Sequence, residues 1–105
     1  MPTLTHPLEG RVAVVTGAGR GIGRATALAL SERGAAVVVN DLGVTLHGEQ
    51  GEQGLAEQVV TEIEAAGGRA VANNDSVAEW AGAERIIATA LDHFGQLDLL
   101  VNNAG

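Results

Sequence analysis

Residues 12–23 read Val-Ala-Val-Val-Thr-Gly-Ala-Gly-Arg-Gly-Ile-Gly, and this stretch decides the fold of the 105-residue chain. Its first four residues are apolar and mostly β-branched, which is typical of a short buried strand. From Ile22 onward the apolar residues follow at helical spacing, namely Ile22, Ala25, Leu28 and Ala29. Gly34 marks the predicted end of this helix. A glycine-rich turn from strand to helix points main-chain N–H groups outward and lets a pyrophosphate approach closely. The stretch therefore predicts a dinucleotide-binding turn.

Strand-like and helical patterns alternate along the whole chain. Short apolar runs at residues 35–40, 69–73 and 97–101 are separated by helical patterns, and a polar loop covers 42–54. The order β-α-β-α-β-α-β predicts an α/β fold with a parallel sheet and right-handed crossovers. We expect half of a Rossmann doubly wound sheet, with strand order 3-2-1-4, ending after the fourth strand. The first two helices would cover one face and the third helix the other.

The third helix has its own start signal. Ser76-Val77-Ala78-Glu79 has the spacing of a capping box, in which the serine oxygen meets an early helix N–H. Trp80 follows, and we expect it to pack. The residues expected to point inward share helical spacing: Ala83, Ile86, Ile87, Ala90, Leu91 and Phe94.

Composition and charge exclude several classes of protein. The formal net charge is −7, and the six cationic residues are all scattered Arg, so no basic stripe could neutralise a nucleic-acid backbone. The chain has no Cys, no apolar run long enough for a membrane span and no signal-peptide layout. The three His are too far apart in sequence to suggest a metal site. We expect a cytoplasmic protein whose residues 1–105 form a dinucleotide-binding half-domain, with a flexible tail at 1–7.

An acidic residue follows the second strand at the position where a ribose-binding group is expected. Asp41 lies eighteen residues beyond Gly23, close to the ~20-residue spacing of an acid that accepts the adenosine ribose hydroxyls. Such a carboxylate repels a 2′-phosphate, which favours NAD over NADP. Arg20 is the counter-argument, because it could reach a 2′-phosphate from the turn. Asp41 as an ordinary turn or cap residue remains an alternative.

Two further segments lie at carboxyl ends of strands. Asp75 and Ser76 follow the third strand, where Asp75 could meet the adenine amino group or only form a turn. Asn102-Asn103-Ala104-Gly105 follows the fourth strand, beside the first. This is the topological switch point at which open α/β sheets bind ligands. Amides there can tie the glycine turn to the sheet.

Together these motifs resemble the short-chain dehydrogenase/reductase family from residue 8 onward. The segments at 39–43 and 70–77 are similar to one branch, the (3R)-hydroxyacyl-CoA dehydrogenase units of peroxisomal multifunctional enzymes and their bacterial relatives, which are NAD-linked. The resemblance implies a pyrophosphate lined by Gly17, Gly19, Arg20, Gly21 and Ile22. It implies that Asp41 binds the adenosine ribose and that Asp75 and Ser76 border adenine. It implies that the ribose and the route to nicotinamide are bordered by Asn103, Ala104 and Gly105.

The chain also departs from the family's pattern. Family catalysis uses a Tyr, a Lys four residues later and a Ser, whereas these 105 residues contain no Tyr and no Lys. We therefore expect no catalytic residue here and no catalysis by this chain alone. The leading hypothesis is the cofactor-binding portion of an oxidoreductase acting on a secondary alcohol or ketone. The alternative is a non-catalytic nucleotide-binding or self-associating module complete at 105 residues. A bare fourth strand predicts a homo-oligomer or the remainder of a longer chain.

Overall fold

The predicted order of elements is confirmed. The computed structural model describes residues 6–43 and 54–104, so residues 44–53 of the polar loop lie outside the described part. Within that part the elements alternate from strand to helix: β1 (Val12–Val15), α1 (Gly21–Glu32), β2 (Ala36–Asn40), α2 (Leu55–Ala65), β3 (Ala70–Asn73), α3 (Trp80–Phe94) and β4 (Leu99–Val101).

The strands form one parallel sheet with the predicted order β3-β2-β1-β4. Val14 at the centre of β1 is in register with Val38 of β2 on one side and Leu100 of β4 on the other. The chain leaves β1 towards β2 in one direction and reaches β4 in the other. The carboxyl ends of β1 and β4 therefore flank the crevice at which the strand order reverses.

Two apolar layers hold the sheet, one on each face. Val15, Val37 and Val39 pack with Val59 and Ile63 of α2, and α1 covers the same face. The alternate residues of the same strands face α3, where Val14 and Val38 pack with Ile86 and Ala90. Because both faces are covered, every residue of β1 and β2 is buried, as continuous apolar runs indicate. The predicted distribution of helices over the two faces is confirmed.

Helix α1 packs through smaller residues than the sequence pattern predicts. The buried residues are Gly23 and Ala27, whereas Ile22 is 79% exposed and Ala25 is exposed. The helix that this spacing predicts is confirmed, but Ile22 and Ala25 do not lie on its buried face. The physical reason is close approach, because a Cβ at position 23 would collide with the carbonyl oxygen of Gly17. The helix begins so near the preceding turn that only glycine fits there.

Helix α3 begins later than the capping box predicts. It starts at Trp80 with Glu79 as the N-cap residue, and no side chain caps its N–H groups. The Ser76 hydroxyl instead accepts the N–H of Ala78 at 3.1 Å, so this segment forms a turn before the helix. A Cβ at position 82 would collide with the carbonyl oxygen of Ser76. The turn thus packs against the side of the helix instead of continuing it, and the predicted capping box is wrong.

The apolar face of α3 is only partly buried. Ile86 and Ala90 are buried as predicted, but Ile87 is 41% and Leu91 48% exposed. Trp80 is 81% exposed, so the expectation that it packs is wrong for the described residues. The helix meets the sheet through one narrow stripe, and β4 beside it carries Leu100 at 58% exposure. An apolar groove of about 180 Å³ runs between α3 and β4.

None of the described helices is long and apolar enough to cross a bilayer.

Candidate functional site

The glycine turn after β1 bends through two left-handed residues. Gly17 has φ +62° and Gly21 has φ +61°, a backbone region that residues with a Cβ rarely adopt. A Cβ on Gly17 would lie 3.1 Å from the Cα of Ala104, so the turn also lies close to the segment after β4. Nothing lies within 4 Å of the corresponding position on Gly21. The turn is therefore packed on its β4 side and open at the start of α1.

The segment after β4 holds this turn, as its amides predict. The hydroxyl oxygen of Thr16 accepts the backbone N–H groups of Asn103 at 3.0 Å and Ala104 at 3.1 Å. The Asn103 side-chain amide donates to the carbonyl oxygen of Gly17 at 3.1 Å. Thr16 itself is 3% exposed. These bonds fix the walls of the crevice between β1 and β4.

The Asp41 carboxylate lies against the same turn from the β2 side. Its Oδ2 accepts the N–H of Gly19 at 2.9 Å, and its Oδ1 accepts the N–H of Gly43 at 2.7 Å. The Asn74 side-chain amide donates to the Asp41 carbonyl oxygen at 3.0 Å. Asp41 is half-buried, so the carboxylate is fixed but still reachable from outside. The structure therefore brings Asp41 into contact with the glycine turn, as its spacing from the turn in the sequence predicts.

The start of α1 presents main-chain donors to the open side of the turn. Gly21 and Ile22 are exposed, and among the described residues no acceptor is assigned to their N–H groups. Arg20 is the N-cap residue and its side chain does not cap the helix. Its guanidinium has no ion-pair partner within residues 6–43 and 54–104. Free N–H groups at the positive end of a helix dipole suit an anion such as a phosphate.

A buried amide pair that sequence reasoning missed joins the ends of β2 and β3. The Asn40 side-chain amide is buried and donates to the Asn73 side-chain oxygen at 2.8 Å and to the Asp75 carbonyl at 2.9 Å. The Asn73 amide in turn donates to Asp75 Oδ2 at 2.9 Å and to the Thr89 hydroxyl at 3.1 Å. The available signal was the polar last residue of each otherwise apolar strand. This network fixes the position of the backbone at Asp75.

The Asp75 carboxylate is already engaged by side chains. Arg85 of α3 donates from Nε to its Oδ1 at 2.6 Å, and this bond, with that from Asn73, lowers the pKa of Asp75 below its ordinary value. Ser76 uses its hydroxyl as acceptor for the turn before α3. An adenine amino group would therefore meet a carboxylate that is ionised and held in place.

The predicted residues thus lie on one edge of the sheet, at the carboxyl ends of all its strands. Gly17, Gly19, Arg20, Gly21 and Ile22 follow β1, and the others follow β2, β3 and β4: Asp41, Asp75, Ser76, Asn103 and Ala104. Gly105 lies outside the described residues. The described part of the chain holds no group of three or more His, Cys, Asp or Glu that could bind a metal ion.

Comparisons with known proteins agree with this geometry. Residues 11–105 match the short chain dehydrogenase family. The chain is 55% identical over 97 residues to the peroxisomal multifunctional enzyme type 2 of Mus musculus, covering 92% of this chain and 13% of that protein. It is 54% identical to the peroxisomal hydratase-dehydrogenase-epimerase of Neurospora crassa, again over 92% of this chain and 10% of that protein.

A solved structure of a similar protein shows the same fold. A short chain dehydrogenase from Mycobacterium avium superposes with a TM-score of 0.86 at 56% identity, over 93% of this chain and 35% of that one. The chain therefore spans about a tenth of the multifunctional relatives and about a third of the solved dehydrogenase. The family match, over residues 11–105, covers the glycine turn and every described strand.

Proposed function

This chain belongs to the short-chain dehydrogenase family, and we propose that it binds NAD for hydride transfer between that cofactor and a secondary alcohol or ketone. Members of the family bind a nicotinamide dinucleotide. The observation that carries the choice of NAD is the Asp41 carboxylate, fixed by the N–H groups of Gly19 and Gly43 at the edge of the glycine turn.

The residues of the turn fit the pyrophosphate of a dinucleotide. A Cβ on Gly21 would project into open space, so a phosphate can approach the main chain there. The exposed N–H groups of Gly21 and Ile22 supply donors for its oxygens, and the α1 dipole adds a positive potential. Binding through main-chain donors also suits a chain with a formal net charge of −7.

Asp41 supports NAD over NADP. Each carboxylate oxygen has two lone pairs and gives one to the main chain, which leaves acceptors for the two ribose hydroxyls. A 2′-phosphate would place like charges together. Arg20, within the turn, is the cation that could favour NADP, but it is an exposed N-cap residue that forms no ion pair among the described residues. We propose that the fixed carboxylate outweighs this exposed cation.

For the substrate we propose a 3-hydroxyacyl-CoA. The support is the identity of 54–55% to multifunctional enzymes, one of which has dehydrogenase in its name, and the resemblance of 39–43 and 70–77 to that branch. NAD, when bound, supplies the hydride acceptor. The residues of this chain bind and orient it, because they include no Tyr and no Lys to move a proton. We propose that the proton-transferring residues lie elsewhere in the functional protein.

We also propose that the apolar groove between α3 and β4 is covered in the functional protein by further chain. Ile87 and Leu100 line it and are partly exposed, and exposed apolar surface of this kind usually marks a contact. The relatives that share this fold are three to ten times longer, which supports a covering segment from the same polypeptide.

Calorimetric titration of the protein as it is encoded tests the proposal. We expect NAD to bind and NADP to bind at least about tenfold more weakly, since each like-charge contact or lost charged hydrogen bond is worth roughly 1.5–3 kcal/mol. Asp41→Asn keeps the side chain's size but removes its charge, and should lessen the preference. Equal affinities for NAD and NADP in the unmodified protein would contradict the choice of NAD. No binding of either would contradict the proposed function.

A further inference from the structure

Gly19 differs from Gly17 and Gly21 in why it must be glycine. Gly17 and Gly21 have positive φ, whereas Gly19 has an ordinary backbone conformation that other residues adopt. Its constraint is space, because a Cβ would lie 2.6 Å from the Cβ of Leu55 and 2.7 Å from Asp41 Oδ2. Real Cβ atoms essentially never come within 3.0 Å of such neighbours. The missing side chain therefore makes room for the Asp41 carboxylate.

The same residue also donates to that carboxylate. The Gly19 N–H lies 2.9 Å from Oδ2 while the Gly43 N–H lies 2.7 Å from Oδ1, so one main-chain donor holds each oxygen. Both donors are neutral, and within the described residues no cation forms an ion pair with Asp41. The carboxylate is thus held by neutral donors on both oxygens and loses its freedom to rotate. Gly19 fixes the Oδ2 side from within the turn.

We propose that Gly19 sets the cofactor preference of this site by holding the Asp41 carboxylate where it accepts the ribose hydroxyls and repels a 2′-phosphate. This inference rests on the proposed function and deepens it. It makes Gly19 a positioning residue that acts through Asp41, since its N–H is already given to the carboxylate and not to a phosphate. The preference for NAD over NADP would then depend on the absence of a side chain at position 19 as much as on the acid at position 41.

The experiment is a double-mutant cycle on the protein as it is encoded, with the dissociation constants of NAD and NADP as readouts. Gly19→Ala keeps the N–H but pushes the carboxylate away. We expect NAD to bind about tenfold more weakly and NADP to change by less than about threefold, so that the preference falls. In an Asp41→Ala background the same Gly19→Ala change should alter NAD affinity by less than about twofold.

A second variant keeps the test independent of how Gly19→Ala folds. Asp41→Glu retains the charge but moves it out by one methylene, so the carboxylate loses its place between the two N–H groups. We expect a loss of NAD preference similar to that of Gly19→Ala. Melting temperatures of all variants report the integrity of the fold.

The outcomes separate this inference from the proposed function. An unchanged NAD preference in Gly19→Ala or in Asp41→Glu would overturn it. So would an undiminished loss of NAD affinity on adding Gly19→Ala to Asp41→Ala, because Gly19 would then act through the turn or through Leu55. If the unmodified protein binds neither dinucleotide, the proposed function fails, and the inference that rests on it fails too.

Discussion

The hydroxyl oxygen of Thr16 lies 3.0 Å from the backbone nitrogen of Asn103 and accepts its hydrogen bond. A second bond comes from the next residue, since the Ala104 nitrogen lies 3.1 Å from the same oxygen. One buried hydroxyl at the end of β1 thus satisfies two main-chain donors of the segment that follows β4. The crevice between the two strands owes its shape to this side chain.

Replacing Thr16 by Val should loosen the crevice while keeping its volume. The Ala104 N–H would lose its acceptor, whereas the Asn103 N–H would keep its bond to the Val101 carbonyl oxygen at 3.2 Å, and one unsatisfied donor in a part-buried position costs about 1–3 kcal/mol. We expect urea unfolding to show a loss of that size, together with weaker dinucleotide binding. Thr16→Ser keeps the hydroxyl and serves as the control, with a smaller loss. Equal stability of Thr16→Val and the unmodified protein would contradict this account.

Two alanine substitutions in the turn should separate stability from binding. Gly23→Ala places a Cβ against the Gly17 carbonyl oxygen, and such overpacking costs typically 1–3 kcal/mol. Gly21→Ala meets nothing within 4 Å, so its penalty is the left-handed φ, about 1 kcal/mol. Its new methyl group would, however, project to the proposed phosphate side.

We therefore expect Gly23→Ala to lower the free energy of unfolding more, and Gly21→Ala to weaken dinucleotide binding out of proportion to its effect on stability. Denaturant titration and calorimetry on the same samples measure both quantities. If Gly21→Ala binds dinucleotide normally, the phosphate does not approach the turn at that residue.

Asp98 should make stability depend on pH in the acid range. The Val12 N–H at 2.8 Å, the Gln96 amide at 2.6 Å and the Arg11 guanidinium lower the pKa of its carboxyl group. A folded-state pKa below the unfolded value of about 3.9 means that the stabilisation is present above that value. It is lost as the pH falls through the folded pKa.

Asp98→Asn should therefore unfold more readily than the unmodified protein at pH 7, and the difference should shrink below about pH 4. Urea midpoints measured across that range test this expectation. A difference that stays constant down to the acid end would show that ionisation of Asp98 does not stabilise the fold.

The half-exposed side of α3 provides a test of the proposed covering segment. Ile87 is 41% exposed among the described residues, so a charge there would be tolerated if nothing more covered it. In the protein as it is encoded we expect Ile87→Glu to lower stability by about 2 kcal/mol or more, because a carboxylate would be buried without a partner. Ala88→Glu, on an exposed neighbouring position, is the control and should be nearly neutral. Equal stability of both variants would contradict a covered face.

Much of the fold follows from the sequence because its signals are local. The apolar runs at β1 and β2 and the helical patterns between strands predict the elements, and the dinucleotide-binding layout then predicts the order 3-2-1-4. The errors lie where contacts override the pattern. Glycine at positions 23 and 82 lets backbone approach backbone. The first contact brings the start of α1 close to the Gly17 carbonyl, and the second packs the turn at Ser76 against the side of α3.

The positions of the candidate site residues in the fold followed from the sequence, but the hydrogen bonds they form did not. Spacing places Asp41 beside the glycine turn, yet nothing in the sequence tells that Gly19 gives it an N–H. The pair Asn40 and Asn73 was missed because a polar residue ending a strand is usually solvated, and its burial depends on two strands lying in register. Such pairings depend on the assembled sheet.

The bonds from the Thr16 hydroxyl to the N–H groups of Asn103 and Ala104 join residues 87 and 88 positions apart in the chain. During synthesis at about 5–20 residues per second, the glycine turn is made roughly 4 to 17 seconds before its partners. Until then a nascent chain contains the residues of the glycine turn but not the two hydrogen bonds that hold the end of β1 to the segment after β4. We therefore expect the crevice between β1 and β4 to take its final shape only after residues 103 and 104 have left the ribosome.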